Sequence, residues 1–196
     1  MILLSDKYWE IRNTQKKGRG MFAKRDILKG RVIGDYLGLV IRPWEALIDE
    51  ENFYLMYYHD HAAILPNLKV PGVYLLNHSC NPNAFLYTYK GHTLTFALKN
   101  IHKGEEITIP YLLSPQDDFC NPCLHKCKCG YINCSKSMHL PKAQYVKWRK
   151  FNKLSADKTK RARVYFGKDL PQLHFYPKTI SSNYIKEVKK IFNNYN

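Results

Sequence analysis

Five of the six cysteines fall between Cys120 and Cys134, and only Cys80 stands apart from them. The run Cys127-x-Cys129-Gly130-x3-Cys134 brings three thiols close together, the spacing of a metal-binding knuckle. Zinc suits such a set, because it takes thiolates in tetrahedral geometry without redox chemistry. Cys120 and Cys123 form a further Cys-x-x-Cys pair. They can add ligands to the same ion, or bind a second metal with His125. A disulfide framework is the poorer expectation, because Met1–Glu10 turns charged too early for a secretory segment and lacks a basic start.

The rest of the chain has the material for a packed domain. Of 196 residues 45% are hydrophobic and 14% aromatic, which excludes wholesale disorder. No apolar run reaches the ~20 residues needed to span a bilayer, so a soluble, intracellular protein without a membrane partner is expected. The net charge of +15 is unevenly spread. Residues 140–196 hold 14 Lys/Arg against three acids, a net +11, whereas residues 1–139 hold 17 against 13, a net +4. A basic stretch with interleaved aromatics suits a phosphate backbone or an acidic protein surface, and it also suits a solvated helical face. The cluster Lys158-Thr159-Lys160-Arg161-Ala162-Arg163 sharpens that choice without deciding it.

The local pattern is mainly β with some α. Residues 1–42 read as short strands and glycine turns, and a short helix is expected from Pro43 to about Glu51. Two β-runs, Ala84–Tyr89 and Thr93–Leu98, are joined by Lys90-Gly91-His92. A further short strand runs to Tyr111. Helical spacing appears over Pro141–Lys153 and over Tyr184–Phe192, where Ile185, Val188 and Ile191 share a stripe.

Four motifs carry the chemistry. Gly18-Arg19-Gly20 follows Lys17 and allows close backbone approach to a ligand, although most such pairs are simply turns. Asn77-His78-Ser79-Cys80-x-Pro82-Asn83 places polar, turn-prone residues directly after the apolar Val73–Leu76. Gly104-Glu105-Glu106-x-Thr108-x-x-Tyr111 reads alone as a turn and a strand, and the cysteine run follows. In this order the four motifs resemble the SET family of protein lysine methyltransferases, from about Lys7 to Met138.

The resemblance implies a SET fold of several small β-sheets with a knot-like active site, in which the Asn77–Cys80 segment threads beneath the Gly104–Tyr111 strand. It implies a SET domain over 7–113, a post-SET zinc-binding module over 117–139, and a basic, partly helical extension over 140–196. It implies S-adenosylmethionine held by the backbone of Lys17, Gly18 and Arg19, by Asn77 and His78, and by Tyr54, for which Tyr57 and Tyr58 compete. Tyr111 corresponds to the catalytic tyrosine. Cys80, Cys127, Cys129 and Cys134 correspond to the zinc ligands. The implied activity is methyl transfer to protein lysines, histone tails foremost, at chromatin in a nucleus, with nucleosomal DNA a candidate partner for the basic extension.

The chain departs from the family pattern at three points. Ile109 and Pro110 stand where an aromatic and Asp or Asn are common, Leu39 stands where Glu is usual, and no cysteine-rich block precedes the domain. Isoleucine cannot hold a water beside the amine, so di- or trimethylation is expected. The alternative is a catalytically inactive SET scaffold serving as a zinc-stabilised chromatin or nucleic-acid interaction module.

Overall fold

The computed structural model describes residues 1–45, 54–118, 120–153 and 156–192. Among these residues ten short strands form four small sheets, and three helices follow them. Strands β1 (Trp9–Asn13) and β2 (Arg19–Ala23) pair as an antiparallel hairpin. Strand β3 (Val32–Asp35) pairs antiparallel with β9 (His92–Ala97), which pairs in turn with β8 (Ala84–Tyr89). Strand β6 (Ala62–Leu65) lies between β4 (Leu39–Ile41) and β5 (Met56–His59). The fourth sheet is the pair β7 (Asn77–His78) and β10 (Thr108–Ile109), and it is parallel.

The β8–β9 hairpin turns where the sequence predicts, with Lys90 and Gly91 both at positive φ (46° and 78°), and β9 begins one residue earlier than expected. Of the helix expected from Pro43, one 3₁₀ turn over Pro43–Glu45 is present and the remainder lies outside the described residues. Among the described residues no helix is long and apolar enough to cross a membrane.

Two cores follow from this layout. The first is formed by Met21, Ile33, Val40, Ile64, Leu76 and Ile107 with their neighbours, and it lies under the motifs. The second covers the other face of the β3–β9–β8 sheet, where Val32, Phe85, Leu94 and Phe96 are buried. Its lid is the C-terminal extension. Helix α1 (Lys142–Asn152) contributes Trp148, and α3 (Ser182–Ile191) contributes Ile185 and Val188, with Phe192 just beyond it. Phe85 packs edge-on against Trp148 with centroids 5.2 Å apart, and its ring lies 5.5 Å from that of Phe192. Helix α3 starts two residues before the predicted stripe, with the Ser181 hydroxyl accepting from the Tyr184 amide.

The extension is also hydrogen-bonded into the sheets. Val32 N–H donates to the Lys178 carbonyl, and Leu170 N–H donates to that of Gly38. Ahead of both contacts in the chain lies α2 (Ala156–Tyr165), a helix over the basic cluster that the sequence pattern did not reveal. Its Lys158 is buried, with Nζ donating to Thr93 Oγ1 at 2.8 Å and lying 5.2 Å from the centre of the Tyr58 ring. Asp35 is buried nearby, hydrogen-bonded to His92 Nδ1 at 2.7 Å and to the Tyr176 hydroxyl at 2.9 Å. Burial lowers the Lys158 pKa to about 8, and the Asp35 charge only partly opposes the shift.

Candidate active site and metal centres

The parallel pairing of β7 with β10 brings two distant motifs together. Thr108 lies opposite Asn77 and Ile109 opposite His78, and Ser79 N–H donates to the Ile109 carbonyl at 3.0 Å. Asn83 locks the pairing from the side. Its Nδ2 donates to the Glu106 carbonyl and its Oδ1 accepts from Thr108 N–H. Tyr111 emerges just beyond this junction. Its amide donates to His78 Nδ1 at 3.2 Å, and its hydroxyl donates to the Leu76 carbonyl at 3.3 Å. The next residue, Leu112, has φ of 55°, a conformation unfavourable for a branched side chain, which sharpens the exit from the site.

Around Tyr111 the lining is rich in tyrosine. Its ring meets His78 edge-on at 5.3 Å, and Tyr54 meets Tyr74 in the same manner at 5.2 Å. The Tyr36 hydroxyl donates to the Tyr54 carbonyl. Burial pushes the Tyr111 phenol up to about 12, with the Tyr54 hydroxyl adding to the effect, so it stays protonated at physiological pH. Tyr58 is fully buried away from this group and Tyr57 is largely exposed, so Tyr54 is the member of the trio that faces the site.

A cleft of about 440 Å³ opens between the β1–β2 turn and the cysteine module, lined by Arg12, Lys17, Phe22, Glu106 and Lys128 among others. Of the residues the resemblance implies for the cofactor, Lys17 lines it directly. Glu106 joins the others to it: its carboxylate binds Lys17 Nζ at 2.5 Å and accepts from Asn77 Nδ2 at 2.8 Å, while Asn77 also donates to the Arg19 carbonyl. A Cβ on Gly20 would stand 2.7 Å from Glu106 and 2.8 Å from Asn77, so glycine there permits this junction. Gly18 has φ of 70° and open space about it, as a backbone presented to a ligand requires. His78 and Tyr54 lie on the Tyr111 side of the junction.

Cys80, Cys127, Cys129 and Cys134 converge from β7 and the module, with their sulfurs within 4.8 Å of one another. Cys80 Sγ is 3.6 Å from Cys127 Sγ and 3.7 Å from Cys134 Sγ. Four sulfurs around a tetrahedral zinc stand about 3.8 Å apart, whereas a disulfide needs about 2.0 Å, so the spacing fits a metal. Without a cation the thiols oppose one another: burial and neighbouring thiols push Cys127 far up, while hydrogen bonds from the backbone draw Cys129 down to about 7 against the effect of burial. His78 connects this centre to Tyr111. With Nδ1 accepting from the Tyr111 amide, a neutral ring carries its proton on Nε2, which faces Cys80 Sγ at 3.5 Å.

Residues 18–112 match the family model described as the SET domain. The chain carries a SET domain. The match opens at the glycine turn and closes just past Tyr111, so it contains the β7–β10 junction. Among similar proteins, histone-lysine N-methyltransferase 2B of Homo sapiens is 32% identical over 135 residues, 62% of this chain and 5% of that protein. The H3 lysine-36 specific histone-lysine N-methyltransferases of Debaryomyces hansenii and Candida albicans are 34% and 33% identical over 137 and 141 residues. These alignments take in 64% and 66% of this chain, and 18% and 16% of the relatives. The chain thus spans less than a fifth of the length of each of these relatives.

Two residues of the SET site were not picked out from sequence. Glu106 is visible in the Gly-Glu-Glu motif, but its ion pair with Lys17 spans 89 positions. Tyr74 follows the glycine at 72 without any motif of its own. Cys120 and Cys123 take no part in the four-sulfur centre and gather instead with His125 and His139.

Proposed function

We propose that the chain is a protein-lysine N-methyltransferase using S-adenosylmethionine, with histones as its first class of substrate. The observation that carries this reading is Tyr111, tied by its amide to His78 and by its hydroxyl to Leu76, at the tyrosine-lined end of a SET junction. When bound, S-adenosylmethionine supplies an electrophilic methyl on a sulfonium. The polar cleft suits such a zwitterion, with Arg12, Lys17 and Lys128 available to its carboxylate and Glu106 as the acid among its lining residues. In this reading the backbone of Lys17, Gly18 and Arg19 would hold the cofactor from one side, and Asn77, His78 and Tyr54 would hold it from the side toward Tyr111.

The incoming lysine nitrogen must be neutral, and in water its ammonium loses its proton near pH ~10.4. A lysine arriving beside Tyr36, Tyr54, Tyr74 and Ile109, which pack in one apolar cluster, would meet surroundings that disfavour the charged form and so raise the share of nucleophile. Tyr111 remains a phenol, so it aligns amine and methyl through its oxygen rather than removing the proton. With the cofactor bound, the amine nitrogen would displace sulfur from the methyl carbon, and its proton would leave to water. A second cleft, of about 580 Å³ and lined by Leu37, Val70, Tyr74 and Leu170 among others, shares Tyr74 with this cluster and suits the peptide.

Ile109 is buried in the first core and offers no hydroxyl to fix a water, which supports di- or trimethylation. Labelled methyl transfer to histone octamers, read with mass spectrometry of the product, tests both points. Tyr111→Phe is expected to lower turnover by about 100-fold or more. Unchanged turnover would overturn the role of Tyr111, and a reaction that halts at monomethyl-lysine would overturn that of Ile109.

The four-sulfur centre holds zinc in this reading and ties the cysteine module to β7. Nuclear chromatin is the corresponding place of action. Exposed cations on the helices, Lys147, Lys150, Lys160, Arg163 and Lys186, form a surface for the nucleosomal duplex. Affinity for duplex DNA should then fall steeply between about 50 and 200 mM salt, and a flat response would exclude this surface.

A further inference from the structure

We propose that Cys120, Cys123, His125 and His139 bind a second zinc ion, separate from the four-sulfur centre. Their ligand atoms lie within 4.8 Å of one another. Cys120 Sγ stands 3.3 Å from His125 Nδ1 and 3.4 Å from His139 Nε2, and Cys123 Sγ stands 3.5 Å from His139 Nε2. Sulfur and nitrogen ligands around a tetrahedral zinc are about 3.6 Å apart, from bonds of about 2.3 and 2.0–2.1 Å. The two imidazoles meet edge-on, with centroids 5.0 Å apart and planes at 89°, so they converge on a common point without stacking. Two thiolates with two imidazoles select zinc among common intracellular divalent ions.

His139 is held as a metal ligand should be. Its Nδ1 lies 2.6 Å from the Ser114 carbonyl, an acceptor, so Nδ1 carries the proton and the Nε2 lone pair faces both sulfurs. The backbone supports the same arrangement. Leu113 and His139 form a parallel bridge, and Met138 N–H donates to the His125 carbonyl at 2.9 Å.

The segment also needs such a tie. Among the described residues from 113 to 140, Cys127 alone is buried, and no helix or ladder of strands forms there. A stretch without an apolar core is ordered by metals or cross-links if it is ordered at all. The four-sulfur centre fixes its far end to β7 through Cys80. The second ion fixes its base, joining the outgoing limb at Cys120, Cys123 and His125 to the returning limb at His139, which is hydrogen-bonded to Ser114, three residues beyond Tyr111.

Metal content of the full chain decides the matter independently of methyl transfer. Protein loaded with zinc and dialysed against a weak chelator should retain about two zinc ions per chain by plasma emission spectrometry. Cys120→Ser with Cys123→Ser should lose one equivalent and keep the other, whereas Cys127→Ser with Cys129→Ser should lose the complementary one. Cobalt loading of the unmodified chain should give two overlapping tetrahedral spectra, one of four sulfurs and one of mixed sulfur and nitrogen. His139→Ala should remove the mixed component alone. A single zinc in the unmodified chain, with a purely four-sulfur cobalt spectrum, would overturn the proposal even if every variant were insoluble.

Discussion

Lys158 shows how far a single side chain can depart from what its neighbours in sequence suggest. In a run of four cations from Lys158 to Arg163 it looks like one more surface charge, yet it is enclosed between Thr93, Tyr58 and the Asp35 network. The sign of its linkage follows from that burial. With a folded pKa near 8 and an unfolded value near ~10.4, the folded chain releases this proton first, so the group contributes stability that grows as pH rises from about 8 to 10. The difference in urea midpoint between the natural chain and Lys158→Met should therefore change across that window and level off above it. Parallel curves at pH 7 and pH 10 would show that the ammonium is not paying a burial cost. Tyr111, Asn77 and His78 were legible for a different reason: their chemistry is tied to fixed short spacings. Glu106 is visible in its motif, but its place beside Gly20 and Lys17 of the β1–β2 hairpin is created only by folding.

At the scale of elements, regular alternation was the readable part. Strands β8 and β9 and helices α1 and α3 lie within two residues of their predicted limits, because each has an apolar face with a definite period. Helix α2 escaped because the face it buries contains Ala162 and a lysine, so its polarity runs against the usual sense. The parallel β7–β10 pair has two residues per strand, too few for any periodicity, and was accessible only through the family resemblance. The extension's role as a lid makes Trp148 the critical side chain of α1. Trp148→Ala should cost about 3–5 kcal/mol, read as a lower urea midpoint with an unchanged slope. A midpoint within error of the natural chain would mean that the second core does not depend on α1.

Over the whole molecule, the extension and the SET core share one sheet, so the +11 segment is a structural layer as well as a charged surface. The two proposed metal centres would act at the same scale. Chelation of the zinc-loaded chain is expected to lower the thermal midpoint and stop methyl transfer, with both restored by added zinc. Transfer that persists at full rate in metal-free protein would separate the module from the reaction.

The positions of the ligands along the chain also set an order of assembly. Cys80 is 47 and 54 residues from Cys127 and Cys134, whereas Cys120 and His139 are only 19 apart. Loop-closure entropy separates such spans by only about 1 kcal/mol, which is too little to impose a sequence of events. The difference lies in what each set of residues needs: Cys80 stands just past β7, whose place is set by its pairing with β10. With zinc in both proposed centres, the local one could fill while the remainder of the chain is still searching. The four-sulfur one would wait for the SET junction, so its occupancy would serve as a clock for the completion of folding.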